Sequence, residues 1–161
     1  MQQKKKKILG RAEKLAFSEL GFNNIPARID TGAKTSSIWA SSVREEEGRL
    51  EVVFFGSKSN HFTGAVHRFT QFDQTVVASS TGHAQTRYKV RLLVGLRGKR
   101  IRAWFTLADR STQVYPVLIG RNVLAGKFVV DVKKGRVLKT AERIRTALLK
   151  SKLKKQSDEE E

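Results

Sequence analysis

The chain of 161 residues contains no cysteine. A disulfide framework, a thiolate zinc site and a cysteine nucleophile are excluded together, and this usage predicts a cytoplasmic protein. Long apolar runs are also missing. Nothing approaches the ~18 residues of a membrane span. The opening Met-Gln-Gln-Lys-Lys-Lys-Lys is followed only by Ile8-Leu9 before Gly10-Arg11, so neither a signal peptide nor a membrane partner is expected. Acidic residues are scarce, 15 against 32 Lys plus Arg, which leaves a net charge of +17.

That charge is spread over body and ends alike, since residues 21–132 carry sixteen basic and eight acidic groups, a surplus of +8. Such a field attracts polyanions, whether nucleic acid, an anionic surface or an acidic peptide, and it is equally the mark of a solvated basic surface. Length and composition predict one compact domain with polar ends.

Between Ile25 and Val132 short apolar stretches alternate with polar or Gly-containing breaks, at residues 50–55, 75–78, 88–94, 101–107, 117–119 and 127–132. Ile101, Ala103 and Phe105 alternate with Arg102, Trp104 and Thr106, and Val90, Leu92 and Val94 alternate with Arg91 and Leu93. Period two is the mark of half-buried strands, and Gly95-Leu-Arg-Gly98 supplies a hairpin loop. The expected fold class is all-β or mostly β, with a C-terminal helix over residues 141–150 capped by Thr140 and presenting Ile144, Ala147 and Leu148 on one face. The organisation expected is a disordered basic segment 1–7, a domain over 8–139, and the helix with a disordered charged tail over 140–161. Leu9 to Leu20 suits a helix as well as a strand.

The sharpest chemical signal is Asp30-Thr31-Gly32-Ala33 within Ala27-Arg-Ile-Asp-Thr-Gly-Ala-Lys-Thr-Ser-Ser37. Two carboxylates brought together share one proton, because like charges at contact cannot both ionise, and the charged one activates water for attack on a carbonyl. A Thr hydroxyl can hold such a loop, and Gly lets backbone and substrate approach closely. An ordinary Asx turn after a strand is the competing reading. Val117-Leu-Ile-Gly120-Arg121-Asn122 resembles the apolar-apolar-Gly-Arg-Asn/Asp stretch of retroviral proteases, where it packs close to the catalytic strand.

Ile8-Leu-Gly-Arg-Ala-Glu13, the Asp30 segment, Gln85-Thr-Arg-Tyr88, Thr106-Leu-Ala-Asp-Arg-Ser111, Tyr115-Pro-Val-Leu-Ile-Gly-Arg121 and Val129-Val-Asp-Val132 lie in register with one family. Over about residues 8–139 the chain resembles the retropepsin-like proteins labelled ATP-dependent zinc proteases. The resemblance implies a small closed β-barrel, with the N-terminal Ile8–Phe17 segment as strand and an active-site loop at Asp30. It assigns Asp30, Thr31 and Gly32 to catalysis and Gly120, Arg121 and Asn122 to structural support. Arg28 departs from the pattern, standing where retroviral enzymes prefer an apolar side chain, and with Ala33, Lys34 and Thr35 it is expected to contact an acidic substrate. It further implies association with ATP-grasp ligases that append glutamate to proteins, and so a substrate with an oligo-glutamate tail.

The residues do not support the label's ATP or zinc. Gly120-Arg-Asn-Val-Leu-Ala-Gly126-Lys127-Phe128 has one residue too many for a phosphate loop and ends in Phe where a hydroxyl belongs. No His-Glu-x-x-His occurs. His61, His67 and His83 could form a three-ligand set, but scattered histidines are more often packing or surface residues. No metal and no cofactor is expected. Ser36-Ser37 lacks a Gly-x-Ser-x-Gly frame, which speaks against a serine hydrolase. With one Asp-Thr-Gly per chain, a two-fold homodimer must complete the dyad. Asp109 is read as a buried ion-pair partner for an arginine or as a second acid, and Asp131 as a strand residue. The expected function is an aspartic peptidase acting on acidic peptide or protein tails. The alternative is a non-catalytic basic module for RNA or a ribosomal surface, with Trp39, Trp104 and Tyr88 available for stacking.

Overall fold

The computed structural model describes residues 5–78 and 81–160. Eleven strands are seen among them: β1 Lys7–Leu9, β2 Ala12–Phe17, β3 Phe22–Ile29, β4 Ser36–Glu46, β5 Arg49–Phe54, β6 Val66–Phe69, β7 Phe72–Ala78, β8 Ala84–Leu96, β9 Lys99–Ala108, β10 Val117–Ile119 and β11 Phe128–Val130. A 3₁₀ turn spans Ser18–Leu20, and two α-helices follow, α1 Arg121–Leu124 and α2 Lys139–Glu159. The mostly β fold with one C-terminal helix is the class that the alternation predicts. No helix among the described residues is long and apolar enough to cross a membrane.

The main sheet runs β10-β3-β2-β8-β9-β4-β5-β6, with β7 on β8. Because β10 pairs in parallel with β3 and antiparallel with β4, the pairings β10-β3-β2-β8-β9-β4 return to β10. The inward residues of this circuit form the core, where Phe17, Ile25, Ile38, Val90, Phe105 and Ile119 are almost fully buried. Burying a side chain of that size contributes roughly 1.5–3 kcal/mol. Phe17 meets Phe105 edge-on at 5.4 Å, and Phe22 meets Phe55 at 4.9 Å, so the aromatic rings tie the two sides together.

Local chemistry accounts for the connections. Leu96 pairs with Lys99, so the β8–β9 loop is only Arg97-Gly98, tighter than the four residues expected. Both have positive φ, 50° and 78°, the type I′ geometry that a right-twisted hairpin selects, and Gly98 adopts it without a Cβ clash. Pro26 sits opposite Lys14 on the β2 side of β3, while β10 joins the other edge only from Ala27 onward. The missing N–H of Pro26 thus interrupts no β10 ladder bond.

Several expectations are corrected at the ends. Lys7 opens β1 and pairs with Phe128, so it does not belong to a disordered segment; residues 1–4 lie outside the described ones. The Ile8–Phe17 segment is two strands, broken at Gly10-Arg11. β11 stops at Val130, which leaves Asp131 in the following turn, its Oδ1 accepting the Lys133 N–H at 3.0 Å. Helix α2 begins at Lys139 with Leu138 at its N-cap, so Thr140 is not the cap, and it continues to Glu159. Lys, Leu, Gln and Glu are all good helix formers, which lets the helix run through the charged stretch. Its apolar face does not dock: Ile144 and Leu148 are 56% and 59% exposed. The attachment is polar. Glu142 takes a bidentate bond from Arg11 at 2.9 and 3.0 Å and the Tyr115 hydroxyl at 2.9 Å. The Arg145 Nε donates to the Thr112 carbonyl at 3.0 Å.

Candidate active site

Strand β3 delivers Asp30. Its parallel pairing with β10 ends at Ile29 opposite Ile119, and the Asp30 N–H extends it by donating to the Ile119 carbonyl at 2.8 Å. The chain then turns. Asp30 Oδ1 accepts the Gly32 N–H at 3.0 Å and the Asp30 carbonyl accepts the Ala33 N–H at 3.3 Å, an Asx turn that aims a half-buried carboxylate at the end of the strand. This is the Asx turn that the sequence allowed.

The Gly120-Arg121-Asn122 stretch closes over this loop from the other side. Arg121 and Asn122 donate their N–H groups to the Ala33 and Lys34 carbonyls at 2.8 and 3.2 Å. The Arg121 guanidinium donates to the Thr31 and Gly32 carbonyls at 3.2 and 2.9 Å. A Cβ on Gly120 would lie 2.5 Å from the Thr35 carbonyl oxygen and 2.8 Å from that of Ala33, so only glycine permits the approach. Buried Ser36 joins the two segments: its hydroxyl accepts the Gly120 N–H at 3.0 Å and donates to Asn122 Oδ1 at 2.8 Å. The Asn122 Nδ2 donates onward to the Trp104 carbonyl at 2.8 Å. Nothing local in the sequence marks Ser36 for this role, since its partners lie 84 and 86 positions away.

The remaining predicted residues surround the loop. Arg28 is exposed two positions before Asp30, between buried Ala27 and Ile29, and so points to the same side of the strand as Asp30. Lys34 and Thr35 are exposed and Ala33 is half-buried. Asp109 is exposed and accepts the Ser111 N–H at 2.9 Å, which overturns its reading as a buried ion-pair partner. That bond holds its carboxyl below the usual carboxylate range. His67 on β6 packs its ring on Phe54 and Phe22, and His61 packs on Phe55. Burial pushes both imidazoles below their ordinary value. Among the described residues no three His, Cys, Asp or Glu side chains converge as a metal set.

A model of the RimB-like family, described as retropepsin-like aspartic endopeptidase RimB, matches residues 8–141. The chain belongs to that family. A probable alpha-L-glutamate ligase of Desulfotalea psychrophila is 32% identical over 130 residues, 78% of this chain and 28% of that protein. One of Shewanella pealeana is 33% identical over 128 residues, 77% of this chain and 28% of that protein. The chain thus spans under a third of the length of these relatives. The crystal structure of a Legionella pneumophila protein of unknown function superposes with a TM-score of 0.53 at 22% identity, covering 80% of this chain and 95% of that one, a likeness of fold.

Beside Asp30 this RimB-like chain gathers cations that its sequence leaves far apart. Arg110, half-buried after β9, donates its Nε to the Tyr115 carbonyl at 3.0 Å. Burial lowers its pKa to about 10, and repulsion from Arg87, Arg28 and Arg145 acts the same way, with Asp30 opposing. Arg110 lies 80 positions from Asp30 and Arg145 lies 115; Arg110 falls within the Thr106–Ser111 segment, where the neighbouring Asp109 drew the reading, and Arg145 lies outside every motif.

Proposed function

We propose that the chain is a homodimeric aspartic peptidase acting on acidic peptide or protein tails, with oligo-glutamate as the leading substrate. The observation that supports it best is the Asp30 loop itself, whose carboxylate is set by the Ile119 ladder bond and the Gly32 N–H while Gly120, Arg121 and Asn122 brace the loop. Family membership supports the reaction class. The glutamate-ligase names of the relatives support the substrate, because a hydrolase that removes glutamate complements an activity that adds it.

In this reading Asp30 of each protomer faces its counterpart across a two-fold axis, and the pair holds one proton. The ionised carboxylate takes a proton from water as the water oxygen bonds to the scissile carbonyl carbon. The protonated carboxyl gives its proton to the carbonyl oxygen. Collapse of the tetrahedral species breaks the C–N bond, and the proton passes to the departing nitrogen.

Asp30→Asn tests this. The amide keeps the turn, since its carbonyl still accepts the Gly32 N–H, but it can neither share the proton nor activate water. Cleavage of a Glu-rich peptide, followed by mass spectrometry, is expected to fall by at least about 10²-fold with the fold unchanged by circular dichroism. Wild-type turnover in a folded Asp30→Asn protein would refute the assignment. Tight, salt-sensitive RNA binding with no peptide cleavage by wild type would favour a binding module.

A further inference from the structure

A pocket of about 410 Å³ opens between β3, the 110–115 segment and the first turns of α2, with Arg11, Arg28, Arg110, Tyr115, Glu142 and Arg145 in its lining. That volume lies within the range of small-ligand sites. Four cations and one carboxylate share the space, and the carboxylate is already used. Arg11 holds both oxygens of Glu142, and the Tyr115 hydroxyl adds a third bond. Among the described residues no carboxylate forms an ion pair with Arg28, Arg110 or Arg145.

Concentrating unpaired cations in a recess opposes folding, through desolvation and through mutual repulsion. Arg110 shows both: burial is the larger cause of its lowered pKa, and Arg87, Arg28 and Arg145 follow. Such a cluster persists where function needs it. The guanidinium planes are also oriented in advance. Arg110 is pinned through Nε to the Tyr115 carbonyl and Arg145 through Nε to the Thr112 carbonyl, both at 3.0 Å. Tyr115 is in turn fixed by the Leu138 N–H, which donates to its hydroxyl at 3.0 Å. A planar fork held by its inner nitrogen suits a bidentate carboxylate.

We propose that this pocket is the carboxylate-binding subsite of the Asp30 centre, with Arg28, Arg110 and Arg145 holding an acidic side chain of the substrate. The inference rests on the peptidase reading for the identity of its ligand and goes beyond it in assigning the residues. It makes α2 part of the substrate site, because Arg145 is carried on that helix. Glu142 is a positioning residue: it neutralises Arg11 and sets the first turn of α2 so that Arg145 reaches the pocket. Arg28 links the pocket to the reacting centre, since it lies on the same side of β3 as Asp30, two residues away.

The test measures binding, so that it does not depend on cleavage. Titration calorimetry with full-length Asp30→Asn protein compares three short peptides of equal length: Glu-rich and C-terminally amidated, Gln-rich and amidated, and Gln-rich with a free C-terminus. The amidated Glu peptide is expected to bind at least about tenfold more tightly than the amidated Gln peptide, the worth of one charge-assisted contact. Arg145→Gln should remove most of that preference while leaving the Gln peptide's affinity in place, and Arg110→Lys should give an intermediate loss because charge remains without the fork. Equal affinity for amidated Glu and Gln peptides would overturn the proposal, as would an undiminished preference in Arg145→Gln. A gain confined to the free C-terminus would overturn it too, by assigning the pocket to a terminal carboxylate. Arg145-dependent Glu binding in a wild-type protein that cleaves nothing would keep the subsite and discard the peptidase.

Discussion

Removing one hydroxyl at the centre of the brace, by Ser36→Ala, should cost about 2 kcal/mol of stability. Ser36 is fully buried at 0% exposure. Its Oγ is the acceptor for the Gly120 N–H at 3.0 Å and a donor to Asn122 Oδ1 at 2.8 Å. Alanine leaves that N–H facing a methyl group, and a buried donor without a partner costs roughly 1–3 kcal/mol. Bulk water does not reach that N–H, since Ser36 and Gly120 are both buried. The Asn122 side adds less, because Asn122 is exposed and its amide can turn to solvent. The loop stays attached through the Arg121 and Asn122 backbone bonds, so the fold survives. In a chain of this size the loss corresponds to a fall in Tm of about 4–8 °C. Urea denaturation of Ser36→Ala, Asn122→Ala and the double variant checks the mechanism, with a coupling of at least about 0.5 kcal/mol expected between the two sites. A Ser36→Ala midpoint equal to that of wild type, or strictly additive losses, would refute the account.

Docking of α2 should weaken in acid. The Arg11 guanidinium holds the Glu142 carboxyl below its ordinary 4.5, so the docked state binds fewer protons than the undocked one. That contribution is complete above 4.5 and is lost as pH falls through the lower docked value. Hydrogen-exchange protection of the first turns of α2, corrected for intrinsic rates, should fall over that interval in wild type; Glu142→Gln should be less protected at neutral pH and show no such step. Dimer-borne catalysis should be visible on mixing: if wild type and Asp30→Asn exchange subunits at equal amounts, activity should drop to about a quarter of that of an all-wild-type sample, whereas about half would show that each chain acts alone.

What the sequence revealed follows from how each element is stabilised. Strands β8 and β9 were legible because Val90, Leu92, Val94, Ile101, Ala103 and Phe105 are buried in alternation, and period two records that burial. Strand β4 escaped notice. Its inner end begins with Ser36 and Ser37, which are buried by hydrogen bonds to Asn122 and to the Thr106 carbonyl, and its outer end is polar. Helix α2 was legible as a helix, but its apolar stripe misled, because Glu142 and Arg145 make the attachment. The Asp30 loop and its Gly120-Arg121-Asn122 brace were marked by motifs. The arginine pocket was legible only in part: Arg28 and Arg110 lie in motif segments, but nothing local joins them to Arg145, and the three meet only once β3, the segment after β9 and α2 are assembled.

In the peptidase reading a second chain is called for because each chain carries one Asp-Thr-Gly. Asp73 turns Oδ1 onto the Gln74 N–H at 2.8 Å, Asp109 onto the Ser111 N–H at 2.9 Å and Asp131 onto the Lys133 N–H at 3.0 Å. Asp109 and Asp131 bond within their own turns, Asp73 lies within β7, and Asp158 lies near the far end of α2, remote in the chain from the loop. Glu142 is engaged by Arg11 and Tyr115. Glu13 is buried with Oε1 accepting the Gly10 N–H at 2.8 Å. Dyad chemistry needs two carboxyls close enough to share a proton, which holds one acid protonated beside one ionised. In the peptidase reading, then, the partner carboxyl for Asp30 comes from Asp30 of another protomer. In that reading the dimer surface would include the exposed Thr31-Gly32 turn, because an approach there brings two such loops face to face.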